Sequence, residues 1–199
     1  MTEQKRDDSL ERVAAEVRGC PLCKLARTRK NAVPGEGQLA AKIMFIGEAP
    51  GSSEDEKGRP FVGAAGRILD NTLKKVGIER SQVFITNIVK CRPPNNRVPE
   101  ADEVAACKPY LDRQIALIKP KVICILGKTA YSSLLGGSSI TASRGKMVER
   151  AGQKYFLTFH PAAAIYNKSL LSALEADLKK LAIEINKEKD SKVSLEDYS

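Results

Sequence analysis

The stretch KIMFIGEAPG, residues 42–51, decides how the rest of the chain is read. Lys42 to Gly47 is a short apolar run ending in glycine, and that pattern predicts a buried strand. Strands apolar on both faces belong inside parallel sheets whose two faces are covered by helices. Glu48-Ala49-Pro50-Gly51 then turns the chain sharply. Such a loop can aim backbone N–H groups and one carboxylate into a cleft. Taken alone, an ordinary connection between strand and helix is the better reading of it.

Working outward, the same unit recurs. EAPGSSEDEKGRP reads as a loop, and Ala64–Val76 as a helix with Leu69, Leu73 and Val76 on one face and Gly77 as its stop. Val83–Val89 is a second strand. CRPPNNRVP, which follows, excludes regular structure because its prolines remove donors and fix φ. Glu100–Ile118 is a long amphipathic helix. Val122–Leu126 is a third strand, with a short helix from Gly127 to Leu135. Tyr155–Phe159 is a fourth strand and Ser169–Ile185 the last helix. On the N-terminal side, Ser9–Arg18 reads as a helix capped by Asp8 or Ser9 and stopped by Gly19. Alternation of this kind predicts an α/β fold, a three-layer α/β/α sandwich around a four-stranded, mainly parallel sheet. Residues 1–187 are expected to form one domain and 188–199 a polar tail.

In open α/β sheets, sites form beyond the carboxyl ends of the strands. That places Glu48–Gly51, Asn87–Arg97, Gly127 and the residues from His160 onward together. Asn87 interrupts an apolar strand end, and its carboxamide offers a donor and an acceptor side by side. It suits the edge of a nucleobase, or it merely ties down the next loop. Phe61, within GRPFVG, is either a stacking platform or a core aromatic. His160 is the one histidine of the chain. A lone histidine is more often structural than chemical.

Four of the five cysteines form two pairs, Cys20/Cys23 and Cys91/Cys107, each flanked by basic residues and turn formers. Paired cysteines in a reducing compartment are more often metal ligands than disulfides. An iron–sulfur site or a zinc site would pin the N-terminus to the middle of the chain. Cys124, inside VICIL, reads as a small core residue.

The net charge of +9 favours a polyanionic partner, above all nucleic acid, although a merely solubilising surface is common. The polar N-terminus and the lack of any long apolar run lead to the expectation of a soluble, cytoplasmic protein without membrane contact.

Taken together and in order, C-x-x-C, G-E-A-P-G, G-R-P-F-x-G, T-N-I-V-K-C-R-P-P-x-N-R, a fourth cysteine and H-P-A resemble the family 4, iron–sulfur uracil-DNA glycosylases. The resemblance runs from about Cys20 to Asn167. It implies hydrolysis of the N-glycosidic bond of uracil in single- or double-stranded DNA, releasing free uracil and leaving an abasic site for base excision repair. The base would be flipped out of the stack. Phe61 would stack on it, Asn87 would read its Watson–Crick edge and Gly47 would line its pocket. His160 would stabilise the uracil anion. Glu48, helped by Asn96, would serve the attacking water.

The resemblance further implies a [4Fe-4S] cluster on Cys20, Cys23, Cys91 and Cys107. Arg92 and Arg97 would lie near the phosphates, and the 160–167 loop, with Ile165 and Tyr166, would hold the gap open. It also implies a prokaryotic, nucleoid-associated monomer that could meet a sliding clamp or another repair protein. Two departures stand out. Ala49 occupies a place where relatives outside this branch carry Asp or Asn, so water activation falls to Glu48. Tyr166 stands near the place of an arginine often found after H-P. Another reading is a binding module with this fold and no chemistry; a zinc-stabilised nucleotide-binding protein is a third.

Overall fold

The computed structural model describes residues 8–196, with side chains as far as residue 187. Among them are six strands: β1 (Glu36–Gly37), β2 (Ile43–Gly47), β3 (Phe84–Asn87), β4 (Val122–Leu126), β5 (Met147–Arg150) and β6 (Gln153–Thr158). The eight α-helices are α1 (Leu10–Gly19), α2 (Ser52–Lys57), α3 (Ala64–Lys75), α4 (Ala101–Ile118), α5 (Lys128–Leu135), α6 (Ile140–Ser143), α7 (Ala163–Tyr166) and α8 (Ser169–Glu196).

The sheet order is β1-β3-β2-β4-β6-β5. The four strands expected from sequence are the parallel centre, β3-β2-β4-β6. Successive side chains of each strand point to opposite faces. Ile43 and Phe45 of β2 pack with Leu69 and Leu73 of α3 and with Leu174, Leu178 and Leu181 of α8. Met44 and Ile46 pack on the other face with Leu111 and Ile118 of α4 and Ala130 of α5. These are the two outer layers of the sandwich. A third, smaller cluster joins Val13 and Val17 of α1 to Val89, Cys91, Cys107 and Tyr110.

The structure departs from the sequence expectation at the sheet edges, in the loop after β2 and in the length of the last helix. The sheet has six strands rather than four, because an antiparallel strand closes each edge. β1 has only two residues, too few for any periodicity. β5 is largely exposed and joins β6 through Ala151-Gly152, both at positive φ, the geometry of a tight two-residue hairpin. Within EAPGSSEDEKGRP, residues Ser52–Lys57 are helical; α2 has no apolar stripe to betray it. The last helix continues to Glu196, well past Ile185, since no Gly or Pro interrupts that stretch. Residues 197–199 of the expected tail lie outside the described residues.

Candidate active site

β2 and β3 run in parallel register with Gly47 opposite Asn87. The pairing carries on past the strand ends, where Ile88 N–H donates to the Gly47 carbonyl (3.0 Å) and Val89 N–H to that of Glu48 (3.3 Å). Glu48 and Asn87 are therefore set side by side at the mouth of the sheet. Together with the segment after β6 they open onto a cleft of about 520 Å³.

Phe61 forms one wall. It is 5% exposed and its backbone sits at φ 50°, unusual for a bulky residue. Such a conformation costs on the order of 1–3 kcal/mol and persists only when neighbours over-determine it. They do so here. Arg80 donates to the carbonyls of Pro60 (2.7 Å) and Phe61 (3.3 Å), and is itself paired with Asp70 (2.7 Å). A Cβ on Gly66 would stand 1.9 Å from the Phe61 carbonyl oxygen, so only glycine lets α3 come this close. The same reasoning explains Gly47. A Cβ there would lie 2.5 Å from Asn87 Oδ1 and 2.7 Å from the Phe61 ring. Gly47 is the floor against which the ring and the carboxamide rest.

Asn87 is 1% exposed. Among the described residues, two buried side-chain atoms lack a hydrogen bond, Asn87 Oδ1 and Asp177 Oδ1. Asp177 has Arg144 at 2.7 Å as an ion-pair partner. Asn87 Oδ1 has no such partner. An acceptor left unmatched in the interior costs about 1–3 kcal/mol, a cost a bound N–H donor would remove.

His160 is half-buried, its ring 5.5 Å from that of Phe61 and tilted by 31°. Its Nδ1 accepts from Ala162 N–H (3.1 Å), which puts the ring proton on Nε2. Burial lowers its pKa to about 4, against a smaller opposing effect of Glu54. At neutral pH His160 is thus an uncharged donor of fixed tautomer. Gly127, at φ 91°, leaves room behind it: a Cβ there would be 2.9 Å from the His160 Cβ.

Glu48 lines the cleft, and its carboxylate has no hydrogen-bond or ion-pair partner among the described residues. Asn96 also lines it, at φ 54°, with its Oδ1 accepting from Arg92 Nε (2.8 Å). Arg97 reaches the cleft but is held by Glu103, Nη1 to Oε2 at 2.9 Å and Nη2 to Oε1 at 2.6 Å. Arg92 is not part of the lining. Ile165 and Tyr166 of α7 stand at the rim, 45% and 90% exposed.

Sequence reasoning passed over Glu54. Its carboxylate accepts from the N–H groups of Gly51 (3.1 Å), Val62 (2.8 Å) and Gly63 (2.8 Å). It ties the GEAPG loop to the loop that carries Phe61. The available signal was its place three residues after Gly51, the N3 position of a capping box.

The four paired cysteines come together beside this cleft. Cys20, Cys23, Cys91 and Cys107 line one small void with Arg29, Lys90 and Tyr110. Arg29 Nη1 donates to Cys91 Sγ (3.0 Å) and Lys90 N–H to Cys107 Sγ (3.2 Å). Burial raises both thiols, that of Cys107 to about 11. Among the described residues no three His, Cys, Asp or Glu side chains converge on a single metal ion. Cys124 is fully buried in β4, packed in the sheet core away from this set. Among the described residues no helix is long and apolar enough to cross a membrane.

A mainly parallel sheet whose strand ends gather an aromatic ring, an unmatched carboxamide and a neutral histidine donor around one cleft makes this an α/β protein with its site beyond the carboxyl ends of the strands. The chain belongs to the uracil DNA glycosylase superfamily, whose family model matches residues 34–185. Within it, the chain is 57% identical over 184 residues to a type-4 uracil-DNA glycosylase of Sulfurisphaera tokodaii, covering 87% of this chain and 84% of that one. It is 50% identical over 184 residues to the type-4 enzyme of Saccharolobus solfataricus, covering 87% and 85%. A type-4 enzyme of Thermotoga maritima is 47% identical over 167 residues, covering 82% and 87%.

Proposed function

We infer that this chain is a uracil-DNA glycosylase that hydrolyses the bond between uracil and deoxyribose in DNA. The observation that carries the reading is the buried Asn87 Oδ1 without a partner, in one cleft with the Phe61 ring, which lies 5.5 Å from that of His160. Uracil carries an N–H between two carbonyls. Asn87 Oδ1 can accept from N3–H while its amide donates to O4. Adenine and cytosine lack that N–H in their ordinary forms, so the acceptor discriminates as well as binds.

The base reaches this cleft only by leaving the duplex stack. Phe61 then offers its face to the flipped ring. As the C1′–N1 bond lengthens, its electron pair goes to uracil and positive charge spreads over the sugar. His160 donates from Nε2 to the carbonyl oxygen where the negative charge gathers. Because the imidazole is neutral, it stabilises the anion without first giving up a proton. Glu48 faces the developing cation and orients the water whose oxygen bonds to C1′, with Asn96 beside it. The proton the water loses is taken up by the uracil anion, so that neutral free uracil departs and the abasic sugar keeps a new hydroxyl. Preorganised groups of this kind act on charge that exists mainly in the transition state.

Cys20, Cys23, Cys91 and Cys107 suit a [4Fe-4S] cluster: four thiols face one void, and two N–H donors already address their sulfurs. The cluster would supply a cross-link between the N-terminal segment, the loop after β3 and α4.

The charge of +9 fits DNA. Arg97 is committed to Glu103, so its part is to fix the loop, whereas Arg92 spends only Nε and keeps its remaining donors for phosphate. Tyr166 and Ile165, exposed at the rim, would fill the gap left by the flipped base. The test is incubation with a uracil-containing oligonucleotide followed by alkali. Strand cleavage at the uracil is expected; retarded but uncleaved DNA would make the chain a binding module.

A further inference from the structure

The segment TNIVKC contains a residue used neither by the cleft nor as a cysteine ligand. Lys90 is 1% exposed, among the largest fully buried side chains of the protein. Its ammonium spends all three donors: on Thr86 Oγ1 (2.5 Å), on the Asn87 carbonyl oxygen (2.9 Å) and on Gln114 Oε1 (2.7 Å). None of these partners is a carboxylate. Burying an ammonium among neutral groups is costly, and a leucine or methionine would fill the space without that cost.

The partners say what the position gains. Thr86 and Asn87 end β3. Gln114 belongs to α4, and its Nε2 donates to the Pro34 carbonyl (2.7 Å), which also accepts from Thr86 Oγ1 (3.1 Å). The main chain of Lys90 joins the same knot, its carbonyl accepting from Val33 N–H (2.7 Å) and its N–H donating to Cys107 Sγ (3.2 Å). One side chain therefore grips the backbone of Asn87 from below, while the Asn87 carboxamide faces the cleft.

We propose that Lys90 is a positioning residue for uracil recognition: by holding the Asn87 carbonyl it fixes the direction of the Asn87 carboxamide, and it links that residue to the four-cysteine corner. This rests on the cleft being the uracil site. A residue that acts through Asn87 has a specific signature, since its removal should matter only while Asn87 is present.

The experiment is a double-mutant cycle in the full-length, iron-loaded protein with Lys90→Met and Asn87→Ala. It is read by single-turnover uracil excision and by inhibition with free uracil, alongside iron content. Lys90→Met alone should slow excision about tenfold and weaken free-uracil inhibition to match. Iron content should remain that of the wild type. In the Asn87→Ala background the same change should have less than about a twofold further effect. Should Lys90→Met not fold, Thr86→Val removes one arm of the knot with little change of shape, and the same non-additivity with Asn87→Ala is expected. Additive losses, or a Lys90→Met protein at full rate, would overturn the proposal. Additivity in an active protein removes this inference alone; a wild type that releases no uracil removes the reading beneath it.

Discussion

The cleft and the cysteine corner share one stretch, Asn87 to Arg97, yet they treat polar groups in opposite ways. In the corner the donors are committed. Arg29 and the Lys90 N–H address sulfur, and the Lys90 ammonium has three acceptors. In the cleft, capacity is left open. Asn87 Oδ1 has no partner, Glu48 has none among the described residues, and His160 has its proton fixed on the nitrogen that is not engaged. Saturated polar networks hold a structure in one arrangement. Unsaturated ones held rigidly are what a ligand or a transition state completes. The chemical step should depend on the cleft groups directly, and iron retention on the cysteines of the corner.

The comparison is tested most severely by His160→Ala and Glu48→Ala. Each should slow excision by about a hundred- to a thousand-fold, the usual effect of losing one preorganised group. Binding to abasic product should hardly change, because both groups act on charge that has vanished by then. Single-turnover rates beside product affinity give the answer. A His160 variant that kept its rate and lost affinity would move that residue out of the leaving-group role.

Asn87→Asp should cost less, about tenfold or more in uracil excision, roughly the 1–3 kcal/mol of a buried group left wrongly paired. A carboxylate still accepts but no longer donates to O4, so the ratio of cytosine to uracil excision should rise. An unchanged uracil rate would place the carboxamide outside the base pocket.

On the corner side, Cys107→Ala should remove iron, whereas Cys124→Ala should keep it and lower stability by about 1 kcal/mol, a small cavity in the core. Iron per chain and a denaturation midpoint separate the two. Iron lost from the Cys124 variant would redraw the ligand set.

What was legible in the sequence follows the same division. Strands buried on both faces announce themselves, so β2, β3, β4 and the buried second half of β6 were visible. The cleft residues were visible because odd residue types interrupt strand ends: Asn87 after an apolar run, His160 before proline. α2 and the edge strands were not, because elements that bury little carry no hydrophobic period. Glu54, Arg80 and Lys90 were missed for a different reason. Their work is done by hydrogen bonds with backbone groups, Glu54 accepting from Val62 and Gly63 N–H, Arg80 donating to the Pro60 carbonyl and Lys90 to that of Asn87, and sequence spacing does not encode such contacts. The Phe61 loop shows the consequence. Its aromatic was recognisable; the left-handed backbone that aims it was not.

The smallest expected effect is the most specific. A histidine that donates as a neutral group should not make the rate titrate near its ordinary pKa of about 6.5. Burial holds His160 near 4, with Glu54 the charged group that opposes the shift. Single-turnover excision should therefore show no inflection from His160 between pH 5.5 and 8, a window in which the folded protein keeps it uncharged. The linkage sign is fixed as well. Below about pH 6.5 the unfolded chain takes up a proton that the folded one refuses until about pH 4. His160 should thus make the fold less stable as pH falls through that interval and contribute nothing above it. His160→Ala should flatten that part of the stability profile. A rate inflection near 6.5, lost in the His160 variant, would mean that the residue works as a cation, and the open donor of the cleft would have to be sought elsewhere.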